Sequence, residues 1–242
     1  MTPTYRIDPH VHTSETSKCA RVPAVELAEE YHALGIYGIA ITDHLNEDYI
    51  SQLYCMDDWN SCIDSFLDGY RRVKERGDKL GLIVILGMEI RFPENDNDYL
   101  VYGIDEMFLR SNPYIHRSSS EAFYKRYSDK VVIIQAHPFR DNNENVCSKW
   151  IHGLEIVNSH PRHENHNEKA LAFWRQNPRL YRMCGSDVHR KGQEGSSYVL
   201  FDHPVTDSIG FKEAVEQGNY SLESNKEEER IILRKAGIRK NI

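Results

Sequence analysis

The chain has 242 residues, a formal charge of −7 and 40% hydrophobic residues, which suits one α/β barrel or two small domains. No apolar run approaches the ~18–20 residues of a membrane span, and Met1-Thr2-Pro3-Thr4-Tyr5-Arg6 lacks the basic and apolar segments of a signal peptide. The acidic balance argues against stable nucleic-acid binding, which depends on neutralising phosphates, and a cytoplasmic protein is expected.

The predicted elements alternate. A strand over Tyr5–Val11 precedes a helix over Pro23–Leu34, whose Ala24, Leu27, Ala28, Tyr31 and Leu34 share a face and whose Pro23 suits a first turn. A strand over Tyr37–Thr42 follows, then a helix over Trp59–Arg76, where Trp59, Ile63, Phe66, Tyr70 and Val73 keep helical spacing. Strands are predicted at Leu82–Leu86, Tyr99–Ile104 and Val131–Gln135, with a polar loop over 94–98 and a helix over Ser120–Tyr127. Leu154–Val157, a helix over Glu164–Gln176, Tyr181–Cys184, Tyr198–Phe201 and a helix over Ser208–Gln217 continue the pattern. From about residue 223 the chain is highly charged, which predicts a surface helix or tail. Alternation predicts parallel strands joined by right-handed crossovers, and with no Gly/Ser- or Pro-rich linker, residues 1–242 read as a single domain.

Five cysteines with no Cys-x-x-Cys pair suit reduced thiols in packing roles. Cys19 stands apart because it lies close to the first histidine motif.

That motif is His10-Val11-His12. Two residues apart on a strand, both imidazoles project from one face and can chelate one ion, although two partly exposed strand residues would look the same. Asp187 and His189 repeat the spacing, the alternative being a Gly-Ser-Asp turn with Asp187 capping a helix. His44 ends a nearly apolar strand, with Asp43 either an acceptor fixing its tautomer or a helix cap. Glu89 follows the most apolar strand and needs a partner there, a metal or Arg91. His137 ends Val131–Ala136 before Pro138. Singly each signal is weak. Together, five strand ends in order carry metal-compatible groups, as at the C-terminal ends of strands in a parallel barrel. Imidazole mixed with carboxylate suits zinc, manganese or iron better than calcium or magnesium.

Asp8-Pro9-His10-Val11-His12-Thr13, Ile41-Thr42-Asp43-His44, Gly87-Met88-Glu89, Ala136-His137-Pro138 and Gly185-Ser186-Asp187-Val188-His189 resemble the successive motifs of the PHP (polymerase and histidinol phosphatase) family, from about residue 5 to 190. The resemblance implies a distorted (β/α)7 TIM-like barrel of the α/β class, with two or three divalent ions (Zn, Mn or Fe). It implies a phosphoesterase in which a metal-bound hydroxide attacks a small phosphorylated molecule or nucleotide. The implied ligands are His10, His12, His44, Glu89, His137, Asp187 and His189, with His10, His12, Glu89 and Asp187 central to catalysis. They divide into a first ion on His10, His12, Glu89 and Asp187, a second on Glu89 and His137, and a third on His44 and His189.

Two departures stand out. Tyr99 lies near the place where many members have a further histidine. Ser17 and Lys18 occupy the place of an Asp or His, leaving Glu15 as the nearest carboxylate for the third ion. His160, His163 and His166 are alternative sources of the missing ligand. Arg140 and Arg190 are the expected phosphate binders, since the guanidinium fork matches two phosphate oxygens; Arg21, Arg162 and Lys18 are weaker candidates. Two other functions fit the same motifs: an amidohydrolase-like C–N hydrolase using the same cluster, and a non-catalytic metal-stabilised regulatory barrel.

Overall fold

The computed structural model describes residues 4–52, 58–143, 146 and 148–236. In chain order the elements are β1 (Tyr5–Val11), α1 (Ala24–Ala33), β2 (Gly38–Ile41), β3 (His44–Leu45), α2 (Glu47–Gln52), α3 (Trp59–Phe66), α4 (Asp68–Leu80), β4 (Ile83–Leu86), β5 (Met88–Arg91) and β6 (Asp98–Tyr102). They continue with α5 (Glu106–Ser111), α6 (Ser120–Tyr127), β7 (Val132–Gln135), β8 (Gly153–Asn158), α7 (Asn167–Gln176), β9 (Tyr181–Gly185), β10 (Ser197–Phe201), α8 (Ser208–Gln217), β11 (Tyr220–Ser224) and α9 (Glu227–Ala236). No helix is long and apolar enough to cross a membrane among the described residues.

The strands form two mixed sheets, ordered β11-β10-β1-β2-β4 and β3-β5-β6-β7-β8-β9. The sheets are continuous through the chain itself. β2 runs into β3 across Thr42-Asp43, and β4 into β5 across Gly87, while Gly87 N donates to Ile41 O at 2.9 Å and Glu89 N to Asp43 O at 3.0 Å. Asp43, His44 and Glu89 therefore lie where two paired strands bend from one sheet into the other.

At the opposite seam Val11 and Val188 form an isolated parallel bridge, and Asp187 N donates to His10 O at 2.9 Å. The expected closed ring of strands is not seen as one continuous sheet among the described residues; beyond this bridge β1 and β9 do not pair. Gly185 is needed there for close approach, because a Cβ would lie 2.5 Å from His10 Cβ and 2.7 Å from Glu155 Oε1.

The all-parallel expectation fails at β6, which is antiparallel to both β5 and β7. Only the short segment 92–97 links β5 to β6, too little chain for a helical crossover. β10 also runs antiparallel to β1, and β11 to β10.

The helix predicted over Trp59–Arg76 is two helices broken at Leu67. The charged C-terminal stretch is not a free tail: β11 pairs with β10, and α9 buries Leu233 and Glu229. Glu229 takes hydrogen bonds from the hydroxyls of Ser159, Ser197 and Ser224, two of them at 3.2 and 2.6 Å for Ser197 and Ser224. Among the described residues three apolar clusters pack the sheets: Val11, Leu27, Tyr31, Ile39, Val73 and Val84 beneath α1 and α4; Ile7, Ile85, Leu100, Ile134 and Phe211 beneath α8; and the largest, with Ile63, Phe66, Ile90, Phe92, Phe123 and Ile156. Cys62 and Cys184 are buried, while Cys55 and Cys147 lie outside the described residues.

Candidate metal centre

The strand ends converge on one cavity of about 750 Å³, lined among others by Cys19, His44, Glu89, Asp98, His137, Arg140, Asp187 and His189. His10 and His12 are fully buried behind the Glu89 and Asp187 of this lining. Alternation along β1 sends both rings the same way, and their Nε2 atoms lie 3.1 Å apart.

Glu89 is the hub. Its Oε1 lies 3.0 Å from His137 Nε2 and 3.4 Å from His10 Nε2; its Oε2 lies 2.8 Å from His44 Nδ1 and 3.3 Å from His12 Nε2. One carboxylate thus faces four imidazoles, two on each oxygen. Although Glu89 Oε2 and His44 Nδ1 are only 2.8 Å apart, their alignment makes no hydrogen bond, and neither buried atom has another partner. Asp187 Oδ1 completes the cluster at 3.3 Å from His12 Nε2 and 3.5 Å from His10 Nε2.

Each inner imidazole is held by its other nitrogen. His10 Nδ1 lies 2.9 Å from Glu155 Oε1, and His12 Nδ1 3.2 Å from Ser17 Oγ, which donates to Asp43 Oδ1 at 2.6 Å. His189 Nδ1 lies 3.0 Å from Asp187 O. With Nδ1–H donated outward, the Nε2 lone pairs of these rings point into the cluster, as ligation requires. Asp43 is therefore an organiser of the site and caps no helix: it also accepts from Thr13 N at 2.8 Å and Thr13 Oγ1 at 2.7 Å. Asp8 lies beneath, accepting from Tyr31 Oη at 2.6 Å and Ser186 N at 3.1 Å, and burial pushes its carboxyl up to about 6.

The backbone is strained where two of these side chains are presented. His137 has φ 28° and Asp187 φ 54°, in a region that costs non-glycine residues roughly 1–3 kcal/mol and recurs at functional sites.

Charge is concentrated here. Burial opposes the imidazolium of His10, yet the carboxylates of Glu155, Asp187 and Glu89 outweigh it and hold its pKa well above 6.5. Burial also opposes His44 and His189; Glu89 and Cys19 raise His44 well above 6.5, and Asp187 with Cys19 raises His189 to about 10. Burial pushes the Glu89 and Asp187 carboxyls up, but the imidazoles around both, with Arg140 beside Asp187, drive them well below the usual carboxylate range. Burial raises the Cys19 thiol as well, and His189 and His44 overcome it, bringing it to about 5.

The donor set fits divalent ions. Nitrogen donors His10, His12 and an oxygen of Glu89 lie within 4.8 Å of one another, as do His10, His137 and Asp187, and separately His12, His44 and His189. His12 thus joins the group of His44 and His189, which the expected division of ligands had left without it.

The remaining expected residues fall elsewhere. Glu15 turns away: both of its oxygens lie 3.0 Å from Ala24 N at the start of α1, and it is in none of these groups. A freed helix N–H is a strong competitor for a nearby carboxylate. Tyr99 is buried in the core, whereas its neighbour Asp98 lines the cavity with an oxygen 3.9 Å from His137 Nε2. Arg91 pairs with Asp98 in a fork at 2.8 and 2.7 Å, and not with Glu89. His160 and His163 reach the cavity wall. Burial lowers His160 to about 3, and its Nδ1 accepts from Arg162 N at 3.3 Å. His166 opens α7 and does not line the cavity. Arg140 lines the cavity with Nη2 2.5 Å from Asp187 Oδ2 and 2.8 Å from Asn158 Oδ1. Arg190 is exposed and outside the lining, while Arg162 is at the rim.

Glu155, Asp98 and Asn158 were not anticipated. The signal for Glu155 was present: a carboxylate inside Leu154-Glu155-Ile156-Val157 has to be paired once buried.

The fold recurs in solved structures. A two-domain protein from Bacteroides vulgatus, described as containing a predicted PHP-like metal-dependent phosphoesterase, aligns with a TM-score of 0.66 at 15% identity, over 97% of this chain and 70% of that one. PsfC from Pseudomonas syringae aligns at 0.63 and 14%, over 97% of both chains. An amidohydrolase from Chromobacterium violaceum with bound sulfate and no metal aligns at 0.50 and 13%, over 92% of this chain and 99% of that one. No curated protein matches the sequence. The PHP domain model matches residues 8–226, a span holding every strand end described above. The chain belongs to the PHP domain family.

Proposed function

We propose that this chain is a metal-dependent phosphoesterase acting on a small phosphorylated molecule or a nucleotide, with residues 1–242 as one catalytic domain. The observation that carries this reading is Glu89: one buried carboxylate faced by four imidazoles, with Oε2 left without a hydrogen bond. That is the arrangement of a shared ligand between neighbouring ions.

His10, His12, Glu89 and Asp187 would hold the first ion; Glu89, His137 and Asp98 the second; His44 and His189, with the His12 ring beside them, the third. When bound, divalent ions such as zinc, manganese or iron supply Lewis-acid charge and a water nucleophile at neutral pH. Arg140 has Nε and Nη2 fixed by Asn165, Asn158 and Asp187, so its guanidinium plane is set at the cavity wall to orient phosphoryl oxygens. Arg162, exposed at the rim, replaces Arg190 as the second phosphate contact. His160, kept neutral by burial, can donate from its other ring nitrogen without adding charge to the wall.

The cavity lining contains no lysine among the described residues, which disfavours C–N hydrolysis by a lysine-bridged centre. A regulatory barrel would not need Arg140 fixed beside the cluster. The test is a panel of phosphomonoesters, phosphodiesters, nucleotides and lactams, incubated with protein reconstituted separately with zinc, manganese and iron. Cleavage of a phosphoester is expected, with loss of about 10³-fold or more in Asp187→Ala. Hydrolysis confined to lactams, or phosphoesterase activity that survives Asp187→Ala and His10→Ala, would contradict the assignment.

A further inference from the structure

We infer that Cys19 supplies a thiolate ligand to the ion held by His44 and His189. The inference rests on the metal-centre reading above and extends it to a residue outside the recognisable motifs. Ring nitrogens of His12, His44 and His189 lie within 4.8 Å of one another, and the ring centroid of His12 is 4.5 Å from that of His44 and 4.6 Å from that of His189. His12 has only its Nε2 lone pair to give, which belongs to the first ion, so His44 and His189 alone would leave an ion here short of donors. The carboxylate expected to provide another, Glu15, is committed to Ala24 N.

Cys19 Sγ lies 3.0 Å from His189 Nε2. Because His189 Nδ1 is engaged by Asp187 O, Nε2 is the ligating nitrogen, so the sulfur is placed beside the atom that would bind. Cys19 lines the same cavity as the buried Glu89 Oε2 and His44 Nδ1, both without hydrogen-bond partners. Its loop is tied to the backbone of the same histidine: Arg21 N donates to His189 O at 2.8 Å, and Ala20 N to Ser17 O at 2.9 Å. The loop carrying the sulfur and the residue carrying the imidazole are therefore joined through the backbone. On binding, the Cys19 S–H bond breaks, its proton passes to solvent and the sulfur lone pair goes to the ion. Thiolate with imidazole favours zinc, cobalt or iron over manganese at this position.

The test is cobalt(II) titration of metal-free wild-type, Cys19→Ser and His189→Ala proteins, read by absorption. The wild type is expected to show thiolate-to-cobalt charge transfer in the near ultraviolet. Cys19→Ser should lose that band while keeping visible cobalt absorption from the other sites, and His189→Ala should weaken it. A cysteine merely hydrogen-bonded to His189 gives no such band, so its absence from cobalt-loaded wild type, or its persistence in Cys19→Ser, overturns the inference and leaves the rest of the centre standing. Failure of the wild type to take up cobalt at all would overturn the centre itself. If Cys19→Ser does not fold, alkylation of Cys19 by iodoacetamide in the wild type, followed by peptide mass spectrometry, decides the matter. Added zinc should slow it severalfold; an unchanged rate contradicts ligation.

Discussion

Four imidazoles meet one carboxylate here only because other residues hold the rings. Glu155 fixes His10 Nδ1 at 2.9 Å and also accepts from His137 N at 2.8 Å. Glu155→Gln is expected to weaken metal binding by about 10–100-fold, measured by competition with a chromogenic chelator; unchanged affinity would mean His10 does not depend on it. The charges also set a pH dependence. His10, His44 and His189 have pKa values raised above 6.5 in the folded chain. Their contribution to stability is present below 6.5 and is lost as pH rises toward the folded values, about 10 for His189. The Cys19 thiol, lowered to about 5, acts in the opposite sense, one group against three. Metal-free protein should therefore lose stability in denaturant titrations between pH 6.5 and 10. Metal affinity should rise over the same range, because ions and protons compete for the same nitrogens. Rising stability of the metal-free protein with pH would contradict the charge assignment.

The elements supply the positions, and here the sequence was only partly legible. β1, β2, β4 and β7 were readable because apolar runs ended in a histidine or in Gly87 before Glu89. α6 and α8 were readable from apolar spacing, each with a side-chain cap, Ser119 and Asp207. β5, with Glu89 inside it, was missed because its ladder depends on β3 and β6 rather than on any pattern of its own. β11, Tyr-Ser-Leu-Glu-Ser, is too polar to stand out, and is a strand because β10 pairs along its whole length. The break between α3 and α4 at Leu67 was hidden by apolar spacing that runs straight across it. That break has a consequence for the site. Gly69 presses on the loop after β1, where an added Cβ would lie 1.9 Å from Thr13 Oγ1, and Thr13 is a donor to Asp43. Gly69→Ala should destabilise by about 1–3 kcal/mol and lower metal affinity as well. Stability loss with normal metal binding would separate this contact from the centre. α9 is a structural element of the same kind: Leu233→Ala should cost about 2 kcal/mol in chemical denaturation, whereas a loosely attached tail would show almost none.

At the scale of the whole molecule, two mixed sheets joined at Thr42-Asp43, at Gly87 and at the Val11–Val188 bridge bring residues from position 10 to position 189 into one cavity. The ligand types were legible because chemistry restricts them to histidine and carboxylate at strand ends. The supporting groups were less so: Cys19 stood out only by its nearness to the first motif and Glu155 only as a carboxylate inside an apolar strand, while Asp98 owes its place to the antiparallel return of β6. The central claim is that Glu89 is shared between ions. Elemental analysis of metal-saturated protein after gel filtration tests it most directly. The wild type should hold two or more ions per chain, and Glu89→Gln should lose at least one of them while remaining folded by circular dichroism. A wild type with a single ion, or Glu89→Gln with an undiminished metal content, would contradict it.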